Sequence, residues 1–113
     1  MIQIEEFITD EDISPFRRWF GGLDEQAAAW VTISVDRLAE GNTSNAKSLG
    51  EGVSELRINR GPGYRVYFGW DGKVLVILLG GGTKKRQQSD IQAALRHWRA
   101  YKARKAAGRA KRN

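Results

Sequence analysis

A chain of 113 residues with 41% apolar side chains and four tryptophans suits one compact domain with a real core and leaves little room for a second. It has no cysteine and a single histidine, which excludes disulfides, thiol chemistry and any plausible zinc site. The net charge of +6 is lopsided: residues 1–95 carry 11 Lys and Arg against 13 Asp and Glu, whereas residues 96–113 carry eight cations and no acid.

That asymmetry points to a polyanion or an acidic protein partner, or equally to a solvated helix end whose cations favour the macrodipole. The start, MIQIEEFITDED, is acidic where a signal peptide needs a basic region followed by an apolar one. The longest apolar run, Val74 to Leu79, is too short to span a bilayer. A cytoplasmic chain without a membrane partner is therefore expected, with one domain over residues 1–107 and a basic, disordered tail over 108–113.

In chain order, Ile2, Ile4 and Phe7 mark a short first strand. Ser14-Pro15 starts a helix whose apolar face is Phe16, Trp19, Phe20 and Leu23, and Gly21-Gly22 close it. Asp24 caps a second helix to about Glu40, ended by Gly41-Asn42. Residues 41–52 are small and polar and read as a loop. From Val53 the period changes to two: strands Val53 to Asn59 and Gly63 to Gly69 flank Arg60-Gly61-Pro62, and Asp71-Gly72 turns into Lys73 to Leu79. Gly80-Gly81-Gly82 breaks the chain before a final helix from about Gln87 to Ala107. The order β-α-α-β-β-β-α predicts an α+β domain with a mainly antiparallel four-stranded sheet.

The hairpin carries the sharpest inference. A register symmetric about Gly61 puts Leu56, Ile58, Tyr64, Val66 and Phe68 on one apolar face. It sets Arg57 directly opposite Arg65 on the other, with Glu55 opposite Tyr67. Like charges facing across a ladder are mildly destabilising, so a sequence that accepts them can be holding two guanidinium groups for an anion such as phosphate. The alternative is that both arginines decorate a wet face, with Glu55 neutralising one. Thr83-Lys84-Lys85-Arg86 follows the glycines directly and would bring three cations to the same end of the sheet. The glycines lack the spacing of a nucleotide-binding loop. A serine nucleophile would lack its base, since His97 is far from any elbow-like serine. The acidic start reads as a solvated edge, and neither a metal nor a cofactor is expected.

The stretch from Gly52 to Phe68 (GVSELRINRGPGYRVYF), then Leu78 to Lys84 (LLGGGTK) and Gln87 to Ile91 (QQSDI), resembles the addiction module killer protein group. That group lies near HigB in the RelE/ParE superfamily of toxins from type II toxin–antitoxin systems. Phe16-x-x-Trp19 and the end of the second helix, Asp36-Arg37-Leu38, also fit, so the likeness covers roughly residues 2–100. The resemblance implies a RelE-like microbial RNase fold, with metal-independent cleavage of mRNA in the ribosomal A site. Its partners would be the ribosome, mRNA and a cognate antitoxin, a small DNA-binding protein. By position it implies catalytic roles for Arg57, Arg65 and Lys84, with Arg65 a phosphate clamp. Arg60, Lys85 and Arg86 would be RNA contacts, and Tyr67 would stack on a base. Where such ribonucleases often place a tyrosine or histidine, this chain has Gln87-Gln88-Ser89-Asp90. Asp90, Gln87 or a lysine would then have to move the proton. The same departure keeps open the ParE-like branch, which binds DNA gyrase, and a weak toxin that acts only with its antitoxin.

Overall fold

The computed structural model describes residues 1–112, with side chains through residue 108. The elements are β1 (Gln3–Glu6), α1 (Pro15–Gly21), α2 (Glu25–Ala39), β2 (Ala46–Gly50), β3 (Val53–Ile58), β4 (Tyr64–Asp71), β5 (Leu75–Thr83), a 3-10 turn at Lys84–Arg86 and α3 (Gln87–Arg112). Among the described residues, no helix is long and apolar enough to cross a membrane.

The helix starts follow their caps. Ser14 Oγ accepts from the Arg17 N–H at 3.0 Å with Pro15 at the first position, and Asp24 Oδ1 accepts from the Ala27 N–H at 2.8 Å. Each satisfies a donor that the first turn leaves orphaned. The helical backbone of α3 continues to Arg112, past the expected end near Ala107. The side chains of residues 109–113 and all of Asn113, where most of the expected tail falls, lie outside the described residues.

The expected α+β class is present, but the sheet has five strands in the order β1-β5-β4-β3-β2 and is mixed. β1 runs parallel to β5, pairing Gln3 with Leu75 and Glu6 with Leu78. Two expectations are corrected here. Residues 46–50 are not loop but an antiparallel edge strand on β3, with Ala46 opposite Leu56 and Lys47 opposite Glu55. Nor do Gly80-Gly81-Gly82 break the chain: they continue β5 against Tyr67, Val66 and Arg65. The last two are glycines for reasons of space, whereas a Cβ on Gly80 would meet nothing within 4 Å. A Cβ on Gly81 would lie 2.2 Å from the Trp19 ring, and one on Gly82 would lie 2.0 Å from Asp90 Oδ2. The extra residue Leu79, between the Phe68–Leu78 and Tyr67–Gly80 pairs, is a bulge.

The sheet is covered on both faces. On one, α1 and α2 bury Phe16, Ala27, Val31 and Leu38 against Leu56, Ile58, Val66, Phe68, Val76 and Leu78. On the other, α3 buries Ala94 and Trp98 against Val53, Tyr67, Ile77 and Leu79. This double cover accounts for the nearly unbroken apolar run of β5. Trp98 sits on Gly69, where a Cβ would come within 2.4 Å of the ring, and its Nε1–H donates to the Glu51 carbonyl at 2.9 Å.

Candidate functional site

The β3–β4 register is the symmetric one: Arg57 pairs with Arg65, Glu55 with Tyr67, and Leu56 with Val66. Arg65 also pairs with Gly82 of β5. Arg57, Arg65 and Gly82 therefore make one row across the sheet, and Lys47, Glu55, Tyr67 and Gly80 make the next. Both rows face α3, so the wet arginine face anticipated as one alternative is instead half roofed. Glu55 is 0% and Arg65 6% exposed, whereas the Arg57 side chain keeps 38% of its surface in water.

A buried carboxylate is tolerable only when its oxygens are satisfied. Glu55 Oε1 accepts from Arg57 Nε at 2.8 Å, and Oε2 accepts from Gln87 Nε2 at 3.1 Å. Arg65 Nε lies 3.8 Å from the same Oε2, an ion-pair distance rather than a hydrogen bond. Glu55 thus neutralises part of the arginine pair and locks the Arg57 stem. Arg65 Nε and the Tyr67 hydroxyl are buried without a hydrogen-bond partner among the described residues. Leaving such groups unpaired costs about 1–3 kcal/mol each, an expense found more often at functional sites than in plain cores. Burial, reinforced by the charges of Glu55 and Asp90, pushes the Tyr67 phenol up to about 12.

The turn between β3 and β4 ties in the next cation. The Gly63 carbonyl accepts from Arg65 Nη1 at 3.1 Å and from the Lys84 backbone N–H at 2.9 Å. Gly63 has φ +78, and a Cβ there would meet Arg65 Nη1 at 3.2 Å and Lys84 Cβ at 3.6 Å. Only glycine relieves both constraints, the left-handed backbone and the close approach. Lys84, Lys85 and Arg86 are all exposed in the 3-10 turn that follows. Asp90 sits over Gly82 in the first turns of α3, and burial raises its carboxyl above the usual range against the pull of Arg86.

The structure therefore brings Arg57, Arg65 and Lys84 to one end of the sheet, with Lys85 and Arg86 adjoining in sequence. Two sequence-derived positions do not join them. Tyr67 is fully buried and presents no face to a base in this arrangement. Arg60 turns to the opposite side, its guanidinium 5.4 Å from the centre of the Trp30 ring. Lys47 lies in a segment that carries no strand signal of its own, because the bulge at Leu49 breaks the period-two alternation. Gln87 was noted only as a substitute for a missing acid, and its grip on Glu55 had no sequence signal.

Comparison with known proteins places this architecture in a family. The chain is 42% identical over 94 residues to an uncharacterized protein of Haemophilus influenzae, a match covering 82% of this chain and 89% of the relative. Residues 18–105, which include both arginine strands and the lysine turn, match the model of the family described as phage derived protein Gp49-like (DUF891). The chain belongs to this Gp49-like family, an addiction-module, toxin-like family.

Proposed function

We propose that the chain is the toxin of a type II toxin–antitoxin pair, of RelE/HigB kinship, and that it cleaves mRNA on the ribosome in the cytoplasm. The observation that carries the reading is the shared Gly63 carbonyl, which holds Lys84 beside the Arg57–Arg65 row. Three cations at one sheet end, on a body otherwise slightly acidic, suit the charge that builds up when a ribose 2′-oxygen attacks the adjacent phosphate. Arg57 and Lys84 are exposed enough to meet the phosphate oxygens. Arg65, buried beneath them, supports the field and the turn. Attack breaks the bond from phosphorus to the 5′-oxygen of the next nucleotide and leaves a 2′,3′-cyclic phosphate. The 2′-hydroxyl proton passes to water, and Asp90, over the row and with its carboxyl pKa raised by burial, gives the proton to the departing 5′-oxygen. Gln87 is occupied with Glu55 and positions rather than reacts. Lys85 and Arg86 hold flanking RNA phosphates.

Induction in a bacterial host without antitoxin, followed by primer extension on abundant mRNAs, tests this reading. Growth arrest with cuts inside translated regions is expected, and the exposed double variant Lys84→Ala/Lys85→Ala should lower cleavage by about 100-fold at unchanged stability. Persistent cutting in that variant would show that the site is wrong. Arrest with intact mRNA and damaged DNA would move the chain to gyrase, and the absence of arrest would leave only a binding role.

A further inference from the structure

On the sheet face away from Arg57, α2 carries a second stripe that reaches from the edge of the core, where Trp30 packs, out to solvent. Trp30, Ile33, Ser34 and Arg37 recur at helical spacing and, with Ile58 and Arg60, line a cleft of about 110 Å³ beside the β3–β4 turn. Ile33 is 48% exposed, a branched apolar side chain standing in water in mid-helix. Trp30 is half-buried, packed at a tilt against Tyr64 at 6.3 Å between ring centres, with the Arg60 guanidinium over its ring. Among the described residues, neither Arg37 nor Arg60 is in an ion pair, so neither cation of this cleft has a carboxylate partner. An apolar centre flanked by two unneutralised arginines and a tryptophan has the composition of a protein-binding hot spot.

We infer that this cleft is the docking surface for the antitoxin, and that it takes an acidic amphipathic segment. The segment's apolar side chain covers Ile33 and the open edge of Trp30, while two carboxylates pair with Arg37 and Arg60. The inference rests on the toxin reading above. Charge and shape favour an acidic peptide over RNA. Ile33 gives a base nothing to stack on, Arg60 already lies over the Trp30 ring, and two cations match two carboxylates better than a run of phosphates. Position gives the surface its consequence. A Cβ on Gly61 of the turn would meet Trp30 and Tyr64, and one on Gly63 would meet Arg65 and Lys84. A partner seated on α2 therefore lies across one short turn from the cationic row without filling it.

The test is titration calorimetry of the full chain with the small protein encoded beside it, comparing wild type with Ile33→Asp and Arg37→Glu. Thermal melts confirm that the variants fold. Each variant is expected to lose at least about tenfold in affinity, to arrest growth as wild type does, and to escape rescue by the co-expressed partner. Equal affinity and full rescue in both variants would overturn the inference while leaving the toxin reading intact. Failure of wild type to arrest growth would instead sink the toxin reading, and failure of wild type to bind the neighbour would overturn the docking surface. A variant that kept the partner but lost binding to a 20-nucleotide single-stranded RNA would mark the cleft as a nucleic-acid contact and would also overturn the inference.

Discussion

Arg57 and Arg65 face each other across the β3–β4 ladder and share the buried carboxylate of Glu55. Their like charges coexist because that carboxylate is out of water and within reach of both. Glu55→Ala should therefore strand Arg65, whose side chain is 8% exposed, next to an empty volume. A loss of roughly 3 kcal/mol is expected, read as a lower urea midpoint. Glu55→Gln keeps the shape and the Arg57 contact, and should lose less. Equal stability of Glu55→Ala and wild type would mean that the pair is not coupled through this carboxylate.

Glycine substitutions separate space from flexibility. Gly81→Ala and Gly69→Ala would drive a methyl group to within 2.2 Å of Trp19 and 2.4 Å of Trp98, respectively. Neither indole can retreat without opening a core, so each should cost more than about 2 kcal/mol. Gly21→Ala, in the last position of α1 with nothing within 4 Å of the new Cβ, should instead stabilise by up to about 1 kcal/mol. Thermal denaturation of the three variants checks both signs at once.

Stability should fall toward both ends of the pH scale, for separable reasons. Burial and the nearby Arg96 lower the His97 pKa from 6.5, and the Arg17 hydrogen bond lowers that of Glu6 from 4.5. A depressed pKa contributes stability above the unfolded value and loses it as pH falls, so His97 should weaken the fold below about pH 6.5 and Glu6 below about pH 4.5. His97 packs at a tilt against Phe7 with ring centres 5.2 Å apart, and His97→Phe should flatten the first of these slopes. At the alkaline end Tyr67 and Tyr101 are raised from 10.0 to about 12, both chiefly by burial. Their contribution is complete below pH 10 and lost as pH climbs toward 12. Chemical denaturation across pH 4–11, with phenolate absorbance for the two tyrosines, gives the profile.

Much of the site was legible because the hairpin is short and symmetric. Period two and a turn centred on Gly61 determine a register, and the register sets Arg57 against Arg65. What the sequence left open was which layer covers that face. The apolar positions Ile91, Leu95 and Trp98 identify α3 as amphipathic, but not as the roof over Glu55. Tyr67 was therefore read as reachable when it is sealed. The glycines at 80–82 look like punctuation because glycine signals flexibility locally, while the requirement for Gly81 and Gly82 comes from Trp19 and Asp90 in other elements. β2 went unseen for a related reason: an edge strand of small polar residues is specified by its neighbour β3 more than by itself.

The parallel pairing of β1 with β5 also sets an order of events during synthesis. The strand made first is hydrogen-bonded to the strand made last, so Gln3 has no ladder until Leu75 has left the ribosome. The roof over Glu55 comes later still, because Gln87 and Trp98 follow β5 in the chain. A nascent chain can close the local hairpin that pairs Arg57 with Arg65 early, but Lys84 joins them and Gln87 reaches Glu55 only when nearly the whole domain has emerged. Products terminated before Lys84 therefore lack an assembled site.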